Sequence, residues 1–211
     1  MSGPFLKIDH WGEVFSMEKS SNHKQLLTSQ LVEMSVLAGC SYVLMFIAVP
    51  IIPIVPYMKI DLSDIPILIG TVIFGPVGGM IIAALRSLLH WLTIGGASIP
   101  DLIGTSSALL SSITLVWTFH WGERLFSFTK GIKKALLVIA TMTIGLTVIM
   151  SLSNWAAVIP LYMKVIGLKL NMPLALLITY GVIPFNLIKG IVVGGIFYGI
   201  KGSFLPRLKL K

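Results

Sequence analysis

The chain has 211 residues, of which 55% are hydrophobic and only 11% are charged. An average soluble protein has about 25% charged residues, so this composition, with a mean hydropathy of +0.93, excludes a soluble globular protein. A membrane-spanning helix takes about 20 residues, and the length therefore predicts one bundle of helices in a membrane. The net charge of +8 does not indicate binding to nucleic acid, because the basic residues are grouped beside the apolar segments.

Apolar segments in chain order predict six membrane-spanning helices. The first ends at a proline-rich loop over residues 50–66, and the glycine-rich segment 75–79 separates a short second span from the third. Ser63 and Asp64, followed by Pro66, predict the cap of the second helix. The predicted spans are Thr28–Val49, Ile65–Phe74, Val77–Ile94, Leu102–Trp121, Ala135–Met163 and Pro173–Ile200.

Six spans place both termini on one side of the membrane. Lys and Arg concentrate in residues 1–27, 122–134 and 201–211, so the positive-inside rule predicts that both termini are cytoplasmic and that the loop 50–65 is external. Residues 1–27 are then a cytoplasmic N-terminal extension, without the apolar core of a signal peptide. Residues 28–200 form the bundle, and residues 201–211 form a basic cytoplasmic tail.

Lys189 lies inside the apolar sixth span, where a charge costs roughly 2.5–3.5 kcal/mol on insertion scales and usually faces a bundle interior or a cavity. Asn186 lies one turn earlier on the same face, next to a helix opening expected at Pro184. Asn154 supplies a second carboxamide in the fifth span. Asparagine donates and accepts whereas lysine only donates, so the three fit a neutral planar ligand with an imide-like edge, such as a flavin or pyrimidine. The asparagines could instead form interhelical hydrogen bonds.

Lys189 could alternatively pair with an acidic residue in an ion relay. The candidate acids Glu33, Asp61, Asp64 and Asp101 all lie outside the middle of the predicted spans, so we expect no carboxylate partner for Lys189. A secondary transporter usually has a titratable or ion-coordinating group near the midplane. The expected lack of a carboxylate argues against that class.

Two further residues in the third span are polar. Arg86 and His90 lie one turn apart, without the spacing of a metal site. We expect a structural role for His90, and the role of Arg86 stays open.

Ser35 and Gly39 form a small-x-x-x-small pattern in the first span. Such a pattern allows another helix to approach closely. It serves either internal packing or docking of a partner subunit, and we favour docking.

The chain carries no sequence signature of an enzyme. A P-loop, an H-E-x-x-H motif and a G-x-S-x-G motif are all absent from the sequence. We therefore expect no catalysis and no metal site, and transport against a gradient would need energy from another subunit.

The first-loop sequence resembles that of the S components of energy-coupling factor (ECF) vitamin transporters. Residues 57–66 (YMKIDLSDIP) and 74–79 (FGPVGG) carry this resemblance. With Asn154 and residues 186–189 (NLIK), the chain resembles the riboflavin-specific S components, the RibU family. The resemblance covers about residues 28–200.

This resemblance implies an all-α integral membrane protein, a six-helix bundle of the ECF S-component type in a prokaryotic plasma membrane and in contact with its lipid. Such a subunit captures riboflavin from outside and delivers it to the cytoplasm with a transmembrane coupling subunit and two ABC-type ATPases. The partners use the ATP, and the chain itself would hold no cofactor. The alternatives are an S component for another vitamin or a pyrimidine-like compound, and a self-sufficient secondary carrier.

The resemblance also implies roles for individual residues. The polar edge of the isoalloxazine ring would be held by Asn154, Asn186 and Lys189. The loop 50–66 would form a lid that caps the ligand with Met58, Asp61 and Leu62. The docking motif would be matched by Ser35 and Gly39.

Overall fold

The computed structural model describes residues 28–55, 58–170 and 172–204. In these ranges five helices follow one another, with a small antiparallel ribbon between the first two. The helices are α1 (28–44), α2 (Asp64–Thr93), α3 (Ile99–Leu125), α4 (Gly131–Ile166) and α5 (Leu174 to Phe204), and the ribbon pairs β1 (Val49–Pro50) with β2 (Lys59–Ile60). The predicted extension 1–27 and most of the predicted tail lie outside the described residues.

Helix α2 reverses direction at Gly75. The backbone there has φ 80° and ψ 178°, a conformation that glycine adopts at little cost, and Pro76 suits the first turn of the helix that resumes. Nη1 of Arg86 lies 2.8 Å from Oγ of Ser63, which is 23 residues earlier. A straight helix would separate such residues by about 35 Å. The two halves of α2 therefore lie side by side.

The predicted count of six helices is not confirmed. Predicted spans two and three are counted as one helix, α2, because only Gly75 departs from helical geometry between its two halves. Among the described residues, four helices, α2 to α5, are long and apolar enough to cross a membrane. The described residues are almost entirely helical, as predicted.

The start of α2 differs from its predicted cap. Ser63 does precede the helix, but its hydroxyl makes no capping hydrogen bond and instead accepts one from Arg86. The Ser63 N–H donates to Oδ1 of Asp61 at 2.8 Å. The loop just before the helix is therefore fixed by Asp61.

Helices α4 and α5 each contain one π-helical turn just before an Ile-Pro pair. The turns are Asn154–Val158 and Ile178–Val182, followed by Pro160 and Pro184 respectively. A proline has no N–H for the carbonyl four residues earlier, and the wider turn rearranges the backbone bonds around that gap. Such turns are frequent at functional sites. The helix opening predicted at Pro184 is present.

Three apolar clusters hold these elements together. The largest joins α2, α3, α4 and α5, and a second packs Met34 and Ala38 of α1 against α2 and α3. The third lies under the ribbon, where Val55 packs against Ile159 and Val182. Polar side chains lie between the largest cluster and the third, and they form the site described below.

Candidate functional site

A cavity of about 170 Å³ lies between the segment that carries β2 and the helices α3, α4 and α5. Apolar wall residues include Met150, Tyr162 and Phe185. The structure brings the three polar residues predicted for the ligand edge into this one cavity. Its polar wall includes Asp61, Ser107, Ser111, Asn154, Asn186 and Lys189.

Asn154 and Asn186 each bind the backbone of their own helix. Nδ2 of Asn154 donates to the Met150 carbonyl at 2.7 Å, and Nδ2 of Asn186 donates to the Val182 carbonyl at 2.8 Å. Both residues are buried, and within the described residues neither Oδ1 atom has a hydrogen-bond partner. The interhelical bonds considered from the sequence are thus not seen there. Each side chain offers the cavity an acceptor oxygen and one further N–H.

Lys189 has a carboxylate partner, so the prediction that it has none is wrong. Its Nζ lies 3.0 Å from Oδ2 of Asp64 and donates to Oγ of Ser111 at 3.1 Å. Asp64 is 1% exposed and Lys189 is 8% exposed, so both charges lie inside the bundle. The prediction treated Asp64 as a residue of the external loop. In the fold the first turn of α2 is buried, which brings this carboxylate to the depth of Lys189.

Arg86 is a second cation beside the same carboxylate. Nη1 donates to Ser63 and Nη2 donates to Oγ of Ser112, each at 2.8 Å, and Ser112 donates to Oδ1 of Asp64 at 2.5 Å. Arg86 is 2% exposed. Asp64, Arg86 and Lys189, which we call the buried ionic cluster, combine two positive charges with one negative charge.

Sequence reasoning gave Asp64 a role only in the cap of the second helix and rejected it as a partner of Lys189, and it gave Ser111 and Ser112 no role. The only local signal was a pair of adjacent hydroxyl residues inside an apolar span, and such pairs also occur where they bond only their own helix. The contacts with Asp64 and Lys189 arise from packing between helices.

The three residues predicted to cap a ligand lie in different places. Met58 and Asp61 line the cavity. Leu62 does not, and it packs partly buried against the largest apolar cluster. The loop therefore contributes an apolar, a basic and an acidic residue to the cavity lining, Met58, Lys59 and Asp61.

His90 lies away from the cavity wall. Its Nδ1 is 3.3 Å from Oγ1 of Thr105 on α3, so it joins the second half of α2 to the neighbouring helix. The structural role expected for His90 stays a prediction.

The small-residue face of α1 is open. Ser35 is exposed, its hydroxyl donates to the Leu31 carbonyl at 2.8 Å, and an added Cβ at Gly39 would meet no atom within 4 Å. Met34 and Ala38 face inward on the same helix. Ser35 and Gly39 therefore do not serve packing within the described chain.

Comparison with known proteins decides the family. The model of the family "ECF transporter, substrate-specific component" matches residues 29–201. The chain belongs to this family. Riboflavin transporter RibU of Staphylococcus aureus (strain TCH60) is 33% identical over 183 residues, which cover 85% of this chain and 93% of that protein. Riboflavin transporter FmnP of Bacillus subtilis (strain 168) is 29% identical over 171 residues, which cover 80% and 87%.

A solved structure of the S component of a bacterial ECF transporter has the same fold. Its TM-score with this chain is 0.70 at 31% identity, and the match covers 87% of this chain and 99% of that one. The predicted recognition as an S component is confirmed. The chain is a multi-pass cell-membrane protein and a transporter component, not an enzyme.

Proposed function

We propose that this chain is the riboflavin-binding subunit of an ECF-type importer, which captures riboflavin outside the cell and delivers it to the cytoplasm with ATP-hydrolysing partners. The observation that carries the proposal is the cavity wall on which Asn154, Asn186 and Lys189 meet. It occurs in a chain whose relatives in S. aureus and B. subtilis are riboflavin transporters.

The polar groups of the cavity suit the pyrimidine edge of a flavin. That edge alternates carbonyl oxygens with a ring N–H, so it needs both acceptors and donors. Oδ1 of Asn154 or Asn186 can accept from the ring N–H, and Lys189 can donate to a carbonyl oxygen. Phe185 and Tyr162 supply aromatic surface for the ring system.

The charge of the site narrows the ligand class. The buried ionic cluster has one more cation than it has carboxylates. A third positive charge brought into this low-dielectric region would be repelled, which argues against a cationic vitamin. Riboflavin is uncharged at neutral pH and presents electron-rich oxygens, so it suits a site with excess positive charge.

The size of the cavity adds a requirement. Its volume of about 170 Å³ is below the roughly 300–1,000 Å³ of typical ligand pockets. We therefore expect the loop side of the cavity, at Met58 and Asp61, to move outward when riboflavin enters. Those two residues would then contact the bound ligand.

The arrangement in the membrane follows from the same proposal. We assign α1, the two halves of α2, and α3 to α5 as the six helices of the bundle. The distribution of Lys and Arg puts both termini in the cytoplasm and the cavity toward the outside. The partners are a transmembrane coupling subunit and two ABC-type ATPases, and the open face of α1 at Ser35 and Gly39 is the docking site for the coupling subunit.

Titration of the purified protein with riboflavin tests the ligand. Flavin fluorescence should be quenched in a saturable way, and Lys189→Met should weaken binding by roughly 10-fold or more, because a charged donor is lost. The matched control is Lys201→Met, the same change on the same helix, since Lys201 binds Glu123 and does not line the cavity. A lack of saturable binding at micromolar riboflavin would refute the proposal.

The single cysteine of the chain tests the docking face. Cys40 is exposed and follows Gly39. A thiol-reactive label should modify Cys40 in the isolated subunit and be excluded in the assembled transporter. Gly39→Leu should weaken assembly without changing riboflavin affinity. Full labelling of Cys40 in the assembled complex would contradict this docking site.

A self-sufficient carrier is the second candidate, because Asp64 and Lys189 provide the buried ionisable groups that this class commonly uses. The chain alone in liposomes should not accumulate riboflavin under an ion gradient. Uptake that stops when the gradient is collapsed would favour the carrier instead.

A further inference from the structure

Lys189 is held by one hydrogen bond and one ion pair. An ammonium group has three N–H donors. Nζ donates to Oγ of Ser111 at 3.1 Å and forms an ion pair at 3.0 Å with Oδ2 of Asp64, an atom that accepts no hydrogen bond within the described residues. Lys189 also lines the cavity. The hydrogen bond and the ion pair therefore hold the ammonium group beside the cavity, where donors are left for a ligand.

Asp64 is itself held in place by Ser112, which Arg86 contacts in turn. Oδ1 accepts the Ser112 hydroxyl at 2.5 Å, and that hydroxyl oxygen accepts from Arg86 at 2.8 Å. Asp64 and Ser112 are each 1% exposed, and neither lines the cavity. Asp64 can thus reach a ligand only through Lys189.

We propose that Asp64 is a positioning residue for ligand recognition: its carboxylate, held by Ser112, aims one N–H of the Lys189 ammonium at a carbonyl oxygen on the planar edge of the ligand. This inference rests on the proposed function, in which that ligand is riboflavin. Without the carboxylate, the flexible lysine side chain has no fixed direction, and Arg86 repels it. The cavity would stay polar but would no longer distinguish where the acceptor lies.

Two flavin analogues test this role: riboflavin with sulfur in place of oxygen at C2, and the same change at C4. Sulfur keeps the planar shape but accepts hydrogen bonds weakly. The unmodified protein should bind one of the two analogues roughly 10-fold or more weakly than riboflavin, because one hydrogen bond from a charged donor is weakened. In Asp64→Asn, riboflavin affinity should fall about 10-fold, and the preference over that analogue should shrink below about 3-fold.

Two further variants separate positioning from folding. Glu123→Gln neutralises a carboxylate that also lies between two lysines but away from the cavity, so both affinity and preference should stay unchanged. Ser112→Ala leaves the Asp64–Lys189 pair in place and removes the hydroxyl that donates to Oδ1 of Asp64 and accepts from Arg86. It should reduce the preference partly, and it tests the role even where Asp64→Asn does not fold.

Equal weakening of all three flavins in Asp64→Asn would overturn the positioning role and leave a structural one. An unchanged preference in Ser112→Ala would overturn it as well. An unmodified protein that binds riboflavin and both analogues equally would also overturn the positioning role, because Lys189 would then donate a hydrogen bond to neither carbonyl. A protein that binds none of the flavins would overturn the proposed function itself, so the two failures are distinguishable.

Discussion

Two ionic clusters in this bundle contain the same number of charges and have different surroundings. In the buried ionic cluster, Asp64 pairs with Lys189 beside the cavity and is linked to Arg86 through the Ser112 hydroxyl. In the second, which we call the terminal ionic cluster, one carboxylate near the end of α3 contacts two cations directly and accepts a hydrogen bond from a tyrosine hydroxyl. Its members are Glu123, Lys134, Lys201 and Tyr198.

Burial is what distinguishes the clusters. The side chain of Asp64 is 1% exposed, whereas that of Glu123 is 23% exposed and its two lysine partners are 25% exposed. Glu123 lies about 18 Å further along α3 than Ser111, so only the buried cluster reaches the cavity. An ion pair that water reaches contributes about 0.2–1 kcal/mol, whereas removing one partner of a buried pair costs about 3–5 kcal/mol. The same charges join helix ends in one place and hold a ligand donor in the other.

Removing the carboxylate of each cluster should give the largest difference in stability between the two clusters. Asp64→Ala leaves Arg86 and Lys189 without a counter-charge inside the bundle, so the free energy of unfolding should fall by about 3–5 kcal/mol. The midpoint of thermal unfolding in detergent should fall by about 10 °C. Glu123→Ala, the matched control, should lower the free energy of unfolding by less, about 1–2 kcal/mol, because its two ion pairs are partly exposed to solvent. Equal effects would mean that burial does not distinguish the two clusters.

A double-mutant cycle in each cluster should give a smaller difference, measured as the coupling free energy between carboxylate and lysine. Asp64→Asn and Lys189→Met each leave one charge without its partner, whereas the double variant removes both charges, so their effects on unfolding should not add. We expect a coupling free energy of about 2 kcal/mol for this pair and about 0.5 kcal/mol for Glu123→Gln with Lys201→Met. Both follow from thermal unfolding of the single and double variants. Additive effects at Asp64 and Lys189 would show that the two do not interact in the folded protein.

The sequence predicted the helices where a local signal exists. Pro184 predicted the opening of α5, and the structure has a π-helical turn directly before it. Gly75 predicted a break, and the backbone is broken there. Local signals do not show how far the chain folds back after a single glycine. The depth of Asp64 therefore could not be foreseen, and the helix count differed because only Gly75 departs from helical geometry within α2.

The candidate site shows the same limit. Asn186 and Lys189 share a helix face because of their spacing, so their position in one cavity was predictable, and their role in binding remains a prediction. The pairing of Lys189 with Asp64 joins residues from two distant parts of the chain. Helical periodicity carries no information about such a contact. Leu62 is the opposite case. It was predicted to cap a ligand, and its place in a loop did not indicate that it packs against the largest apolar cluster.

The effect of salt on the stability of the variants should show the smallest difference between the clusters. From about 0.01 M to about 1 M ionic strength, the screening length falls from about 30 Å to about 3 Å. The loss of stability in Glu123→Gln should therefore shrink by about half or more, whereas the loss in Asp64→Asn should be the same at both ionic strengths. Thermal unfolding in uncharged detergent, with the unmodified protein as reference at each salt concentration, measures both. Equal salt sensitivity would show that ions reach the buried cluster. Lys189 would then be a solvated amine, and its neighbours could not fix the direction in which it donates.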